Sequence, residues 1–213
     1  MKNLLIKEYK ISINKFFIYS GFLFSAMLLI PNWIYVVAFM YVFWLIVPGI
    51  YSEYNTQNDF TFMDALPVSK KDIVKTKILA LAFIEITHII VAVFFANINS
   101  LFFGTDKIFF DLNFAFFGNI FIMYAIFNVI FFPLYFKTAF FYGKAAILGS
   151  LIAILYASAI EILNLFVEPI NVILESDDHI ITQVFIFMIG VIVFVGTLLY
   201  VSKVSIKCFE NKQ

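Results

Sequence analysis

A chain of 213 residues that is 63% hydrophobic, 20% aromatic and only 13% charged lies far outside the composition of soluble globular domains. Net charge is zero, from 14 basic residues, all of them lysine, against 14 acids, which removes any bulk electrostatic case for binding nucleic acid. About 20 helical residues cross a hydrocarbon core of ~30 Å, so six crossings take up most of the chain and leave no loop able to fold as a water-filled enzyme domain. The class is an all-α polytopic integral membrane protein: barrel alternation is absent, and lipid leaves backbone groups no partner outside a helix.

In the N-terminal arm, 1–15, Leu5, Ile6, Tyr9, Ile13 and Phe16 cluster on one stripe while Asn3, Lys7, Lys10 and Asn14 lie opposite, and Leu4 and Ile11 break the pattern. This predicts an amphipathic helix in the headgroup layer, its lysines reaching anionic lipid. The apolar stretch 16–50 is too long for one crossing, and Pro31-Asn32 splits it into spans 16–30 and 33–50. No small-x-small cleavage site precedes Pro31, so the first span reads as an uncleaved anchor.

The polar segment 51–77 is organised. Asn58-Asp59 can cap a short helix within 58–67, with Phe60 and Met63 on one face, Phe62 and Leu66 on another, Asp64 between them and Pro67 ending it. An ordinary loop is the plainer reading, but a large apolar knob on a capped, water-facing helix usually fits a groove. Ser69 and Asp72 form a capping box for a second helix that starts at Lys70 and runs into span 78–96.

Within that span Glu85 and His88 share a face. Glu-x-x-His is a di-iron spacing that requires two copies, and the other histidine, His179, lies at the far end, so a metal reading fails on count. What remains is a hydrogen-bonded pair satisfied inside the protein, a polar lining of a substrate path, or an intramembrane enzyme, for which this face offers few convergent polar groups. Asn97, Asn119 and Asn128 can bond between helices. The Phe-rich span 114–136 would suit a route for amphipathic peptides, although enrichment in Phe, Ile, Lys and Asn without arginine is also what AT-rich coding yields. Span 145–163 carries Ala145, Gly149, Ala153 and Ala157 at four-residue spacing, a small face that lets another helix approach closely. Glu161 continues the stripe and either reaches the outer interface or serves an interface or exit gate. The segment 164–179 is too apolar for a free loop and, broken by Pro169, too short to cross, which predicts a shallowly inserted hairpin before span 180–201.

Thirteen of the fourteen lysines fall on one side of these spans and only Lys107 on the other, which predicts cytoplasmic termini; Asp106, Asp111, Glu168, Glu175, Asp177 and Asp178 all lie outside. Cys208 alone permits no internal disulfide and no multi-cysteine metal site. Gly143-Lys144 is the only Gly-Lys pair and lacks the rest of a Walker sequence, so the chain is not expected to hydrolyse ATP alone.

The run Asp64-Ala65-Leu66-Pro67-Val68-Ser69-Lys70-Lys71-Asp72-Ile73-Val74-Lys75-Thr76-Lys77, following Glu53 and Asn58-Asp59 after the second of six spans, resembles permease subunits of ABC-2 type exporters. More narrowly it resembles the permeases of phenol-soluble modulin and antimicrobial-peptide exporters of Gram-positive bacteria. The resemblance covers the whole chain in topology, and that run is its sharpest part. It implies that 58–67 is a coupling helix seated in a cleft of a separate ATPase, with Asp59, Phe60, Phe62, Met63, Asp64 and Leu66 as coupling residues. It further implies a non-catalytic permease in the bacterial plasma membrane, paired with a second copy or a paralogous permease, with no cofactor of its own and ATP and magnesium on the partner ATPase. Its substrates would be amphipathic or membrane-active peptides, with lipids or small drugs as alternatives. An immunity or sensing subunit that binds peptide without net transport is the competing reading.

Overall fold

The computed structural model describes residues 2–65, 67–103, 109–138 and 140–211, and of Phe60, Asp64, Phe103 and Asp177 the backbone alone. Every regular element described is helical: α1 (Lys2–Lys7), α2 (Lys15–Ser25), α3 (Val37–Tyr41), α4 (Val47–Thr56), α5 (Asp59–Asp64), α6 (Lys70–Phe103), α7 (Phe114–Lys137), α8 (Tyr142–Phe166), α9 (Glu168–Glu175) and α10 (Ile180–Glu210). A π-helical turn, Val42–Ile46, joins α3 to α4 into one rod, and a 3-10 turn, Ala26–Leu29, extends α2. Among the described residues five helices are long and apolar enough to cross a membrane, or six if the bent pair Lys2–Ser12 and Lys15–Leu29 counts as one span. The protein is thus all-α and polytopic.

The arm and the first apolar segment are separate helices, as an arm lying apart from the span requires: Ile13 is extended, the Asn14 side chain accepts from the Phe16 N–H at 2.9 Å, and the chain bends by 77°. Such a cap starts a new helix rather than continuing an old one. Other boundaries differ from the sequence expectation. The second rod begins at Val37, not at 33, because Pro31 withholds a donor and Asn32 adopts a left-handed φ of 53°, so residues 30–36 turn instead of winding. It also continues to Thr56, beyond the expected 50. The helices α6 and α10 overrun their apolar windows for a different reason. At 1.5 Å per residue they are roughly 50 Å long, and hydropathy marks the thickness of the hydrocarbon, not the point where hydrogen bonding stops. The Ser69–Asp72 cap forms as expected, with the Asp72 N–H 3.1 Å from the Ser69 hydroxyl.

The helix α7 is the centre. It packs against α8 on one side and along α10 on another, and Phe116, Phe127, Phe131, Phe132 and Phe136 are all buried. The Phe43 ring of the π turn stacks on Phe127 at 4.3 Å, Phe127 on Phe131 at 5.2 Å and Phe131 on Tyr135 at 5.7 Å, with Tyr51 edge-on to the last two. Offset and edge-to-face pairs of this kind add to simple burial. Most of the phenylalanines expected to line a route therefore fill the core, while Phe114 is 48% exposed. By contrast α10 turns most of its apolar surface outward, with Ile181, Phe185, Ile192 and Leu199 all exposed, as a helix facing lipid does.

The crossing of α7 and α10 depends on two glycines. A Cβ on Gly190 would fall on the Gly118 carbonyl, and one on Gly118 would meet the Ile186–Phe187 backbone. Because backbone, not a flexible side chain, is the obstacle, Gly190→Leu should cost at least the ~1–3 kcal/mol typical of overpacking. Thermal denaturation in detergent should show a clear drop for Gly190→Leu and none for Gly196→Leu, whose Cβ would meet nothing within 4 Å.

Candidate functional site

The alternation of long helices gathers the arm, α5, the start of α6, the end of α7, the start of α8 and the end of α10 at one end of the molecule, which is therefore rich in lysine. At its centre is a buried ion cluster. The rod ends at Thr56, Gln57 and Asn58 reverse the chain, and Asn58 sits in the left-handed region, φ 49° and ψ 37°, with no side-chain cap bond. The expected Asn58 cap is thus replaced by a backbone turn, which places Asp59 at the first position of α5. The Asp59 carboxylate accepts from Lys77 of α6 at 2.7 Å and from Lys7 of α1. Glu8, fully buried in the π-helical turn Glu8–Ser12, lies 3.4 Å from Lys7 and 3.9 Å from Lys77. The Lys77 ammonium also sits 3.3 Å from the Tyr54 ring centroid of α4. Two cations and two anions balance, which is what makes burial of the four groups tolerable. The arm, α4, α5 and α6 meet there.

Burial opposes the charged form of Asp59, yet Lys77 and Lys7 more than offset it and hold its carboxyl below the usual aspartate range. A depressed folded pKa gives stability that is complete above the unfolded value and lost as pH falls through the folded one. The thermal midpoint should therefore decline below about pH 4, and Asp59→Asn should remove that part of the decline; an identical acid limb in both proteins would contradict the placement.

One turn beyond Asp59, Met63 is also buried, at 1% exposure, so both contacts hold the same edge of α5 to the body. Phe62 points the other way and is 55% exposed. Thr61 and Ala65 are exposed beside it. Of the six residues expected to make the knob, Asp59 and Met63 are the fastening and Phe62 is the projection. The side chains of Phe60 and Asp64, and Leu66 altogether, lie outside the described residues.

The intramembrane polar residues resolve into separate contacts. Both Glu85 oxygens accept from the Asn128 amide of α7, at 2.9 and 3.2 Å, and His88 Nδ1 bonds the Tyr41 hydroxyl of α3. The two do not form a mutual hydrogen bond, which corrects the expected pair: each bonds a residue of a different helix, Glu85 to Asn128 and His88 through Nδ1 to Tyr41. The His88 ring occupies the space left by Gly21 of α2, where a Cβ would collide with it. Asn119 accepts from Tyr156 of α8 at 2.6 Å, whereas the Asn97 amide donates within its own helix, to the Val93 carbonyl at 2.7 Å. The stripe Ala145, Gly149, Ala153 and Ala157 is buried, with the Phe127 ring of α7 over Gly149, so the small face is used inside the chain. Glu161 at its end is 8% exposed and accepts from the Phe110 N–H at 3.4 Å. In the segment 164–179 Pro169 occupies the first turn of α9 and Leu174 is buried, while Glu175 takes the Asn164 amide at 2.5 Å. Among the described residues no group of three His, Cys, Asp or Glu is placed to hold a metal ion.

Sequence reasoning missed Glu8, Tyr54 and Asn99. Glu8 is the only acid in a lysine-bearing arm, a usable signal. Asn99, whose amide reaches the Leu28 carbonyl at 2.6 Å and clamps the turn between α2 and α3, carries none.

A sequence model of the family described as ABC-2 family transporter protein matches residues 3–210. The chain belongs to that family. It is accordingly the membrane component, or permease subunit, of an ABC transporter, and associates with ABC ATPase subunits. No curated protein and no solved structure matches it. Placed in an ABC-2 permease, the ion cluster and α5 occupy the end of the spans where the lysines gather, and the polar contacts of Glu85, His88 and Asn128 cross-link the helices between the two ends.

Proposed function

We propose that this permease exports amphipathic, membrane-active peptides, driven by a partner ATPase through α5. The observation that carries the coupling role is the opposition of Phe62 to Asp59 and Met63 on one short helix: a projecting aromatic ring whose other side is fastened through Asp59 to α1 and α6. A knob on a swivelling loop would move without moving the spans. Here a push on Phe62 is transmitted through Asp59 to Lys77 at the base of α6 and to Lys7 of the arm. In this reading the lysine-rich end is cytoplasmic, by the lysine asymmetry, the bent Lys2–Leu29 segment supplies a sixth span, and a second permease completes the pathway in the bacterial plasma membrane.

The peptide class is supported by the resemblance of the 64–77 run to phenol-soluble modulin permeases. It is also supported by a groove of about 390 Å³ at the opposite end, where Asn97, Ser100 and Gln183 face Phe114, Phe117 and Phe187; that mixture suits one apolar and one polar helix face. The test is uptake of a fluorescent amphipathic helical peptide into inverted vesicles holding the chain and its ATPase. ATP-dependent accumulation is expected. Peptide binding without accumulation would replace export by the sensing or immunity role.

A further inference from the structure

Lys7 and Lys77 are consumed in the ion cluster, but four other lysines at the same end are not. Lys71 and Lys75, one turn apart on α6, and Lys203 and Lys207, one turn apart on α10, rim a single groove of about 640 Å³. All four are exposed, and none has an ion-pair partner among the described residues. The acid nearest in sequence, Asp72, is turned to the Ser69 hydroxyl at 3.0 Å, so among the described residues Glu210 is the one carboxylate on the rim and these five side chains carry an excess of three positive charges. Its floor is apolar. Leu79 and Leu199 are 38% and 65% exposed there, and the floor continues without a break into the outward face of α10, where Ile192 and Val195 are exposed.

A cationic rim at the end of a span over an apolar floor that leads toward the bilayer centre matches one kind of molecule, an amphiphile with an anionic head and a hydrocarbon tail. A free anion would leave the floor uncovered, and a neutral lipid would leave four ammonium groups unmatched. We propose that this groove binds an anionic phospholipid, its headgroup phosphate held between the two lysine pairs and an acyl chain lying along α10. At this end Lys70 also lies over the Phe209 ring, 5.4 Å from its centroid. The lipid would thus act as a further fastening between α10 and the helix that carries Lys77. Basic pockets between spans recognise anionic headgroups by this chemistry.

The test is a titration of the purified full-length chain in detergent with phosphatidylglycerol, phosphatidylcholine and glycerol phosphate, read by native mass spectrometry and thermal shift. Phosphatidylglycerol should bind and stabilise, phosphatidylcholine should not, and tail-less glycerol phosphate should compete poorly. At about five-fold per lysine, the Lys75→Gln/Lys203→Gln chain should bind phosphatidylglycerol roughly 25-fold more weakly. Lys137→Gln/Lys144→Gln, which removes two exposed lysines outside both the groove and the arm, should bind within two-fold of the parent. Ser202→Trp, which keeps every lysine and fills the groove, should also lose the lipid. Equal losses in the two double variants would mean generic surface charge. Equal binding of phosphatidylcholine would mean an unselective apolar face, full competition by glycerol phosphate a simple anion site, and a change of oligomeric state in place of lipid loss a protein interface; each of these overturns the proposal.

Discussion

Replacing Lys77 by methionine should destabilise the folded chain by about 3–5 kcal/mol, the cost of leaving buried charge without its partner. Methionine preserves most of the apolar stem, so the loss is electrostatic. Asp59 and Glu8 would then share the single ammonium of Lys7 in a site where neither carboxylate is more than 4% exposed. The cation over the Tyr54 ring would go as well, worth up to ~2 kcal/mol when desolvated. Chemical denaturation in detergent measures the loss, and limited proteolysis of 57–69 should show α5 released from the body. Pairing Lys77→Met with Glu8→Gln restores charge balance and should recover most of the stability. A cost below about 1 kcal/mol, the range of exposed pairs, would mean that water reaches the cluster.

Phe62→Ala should have the opposite profile. The ring is more than half exposed and its loss should leave thermal stability within about 0.5 kcal/mol of the parent. Affinity for the ATPase should fall by at least ~2 kcal/mol, the threshold of an interface hot spot, or roughly 30-fold. Stimulated ATPase activity and peptide export should fall with it. The contrast between the two substitutions separates fastening from contact: one unmoors the helix, the other blunts it. If Phe62→Ala exported normally at limiting ATPase concentration, α5 would not be the coupling element.

Much of this was readable from the residues. The class, the long spans and the capped start of α6 follow from runs of apolar residues and from Ser69 with Asp72, because hydropathy and capping are local. The pattern grouped Phe62 with Met63 in one knob, and the burial of Met63 separates them. What escaped was long-range. Nothing near Asp59 announces that Lys7 and Lys77 converge on it, since that convergence depends on the arm bending at Asn14 and on α6 starting beside α5. Asn58 looked like a cap and proved to be a left-handed turn residue, a role its short amide side chain serves equally well. Glu85 and His88 looked like a pair because they lie one turn apart, but each found a partner on another helix, Asn128 and Tyr41. In a bundle the neighbour across the interface competes with the neighbour along the helix, and the sequence does not display it. Glycine was the other concealed signal: Gly118 and Gly190 lie 72 positions apart and make sense only as one crossing.

The central claim, that Phe62 enters a cleft of the ATPase, is tested most directly by photocrosslinking. With p-benzoylphenylalanine in place of Phe62 in the assembled transporter, irradiation should join this chain to the ATPase subunit, and the same probe in place of the exposed Phe166 at the opposite end should not. Crosslinks from position 62 confined to lipid or to the permease itself would contradict the account.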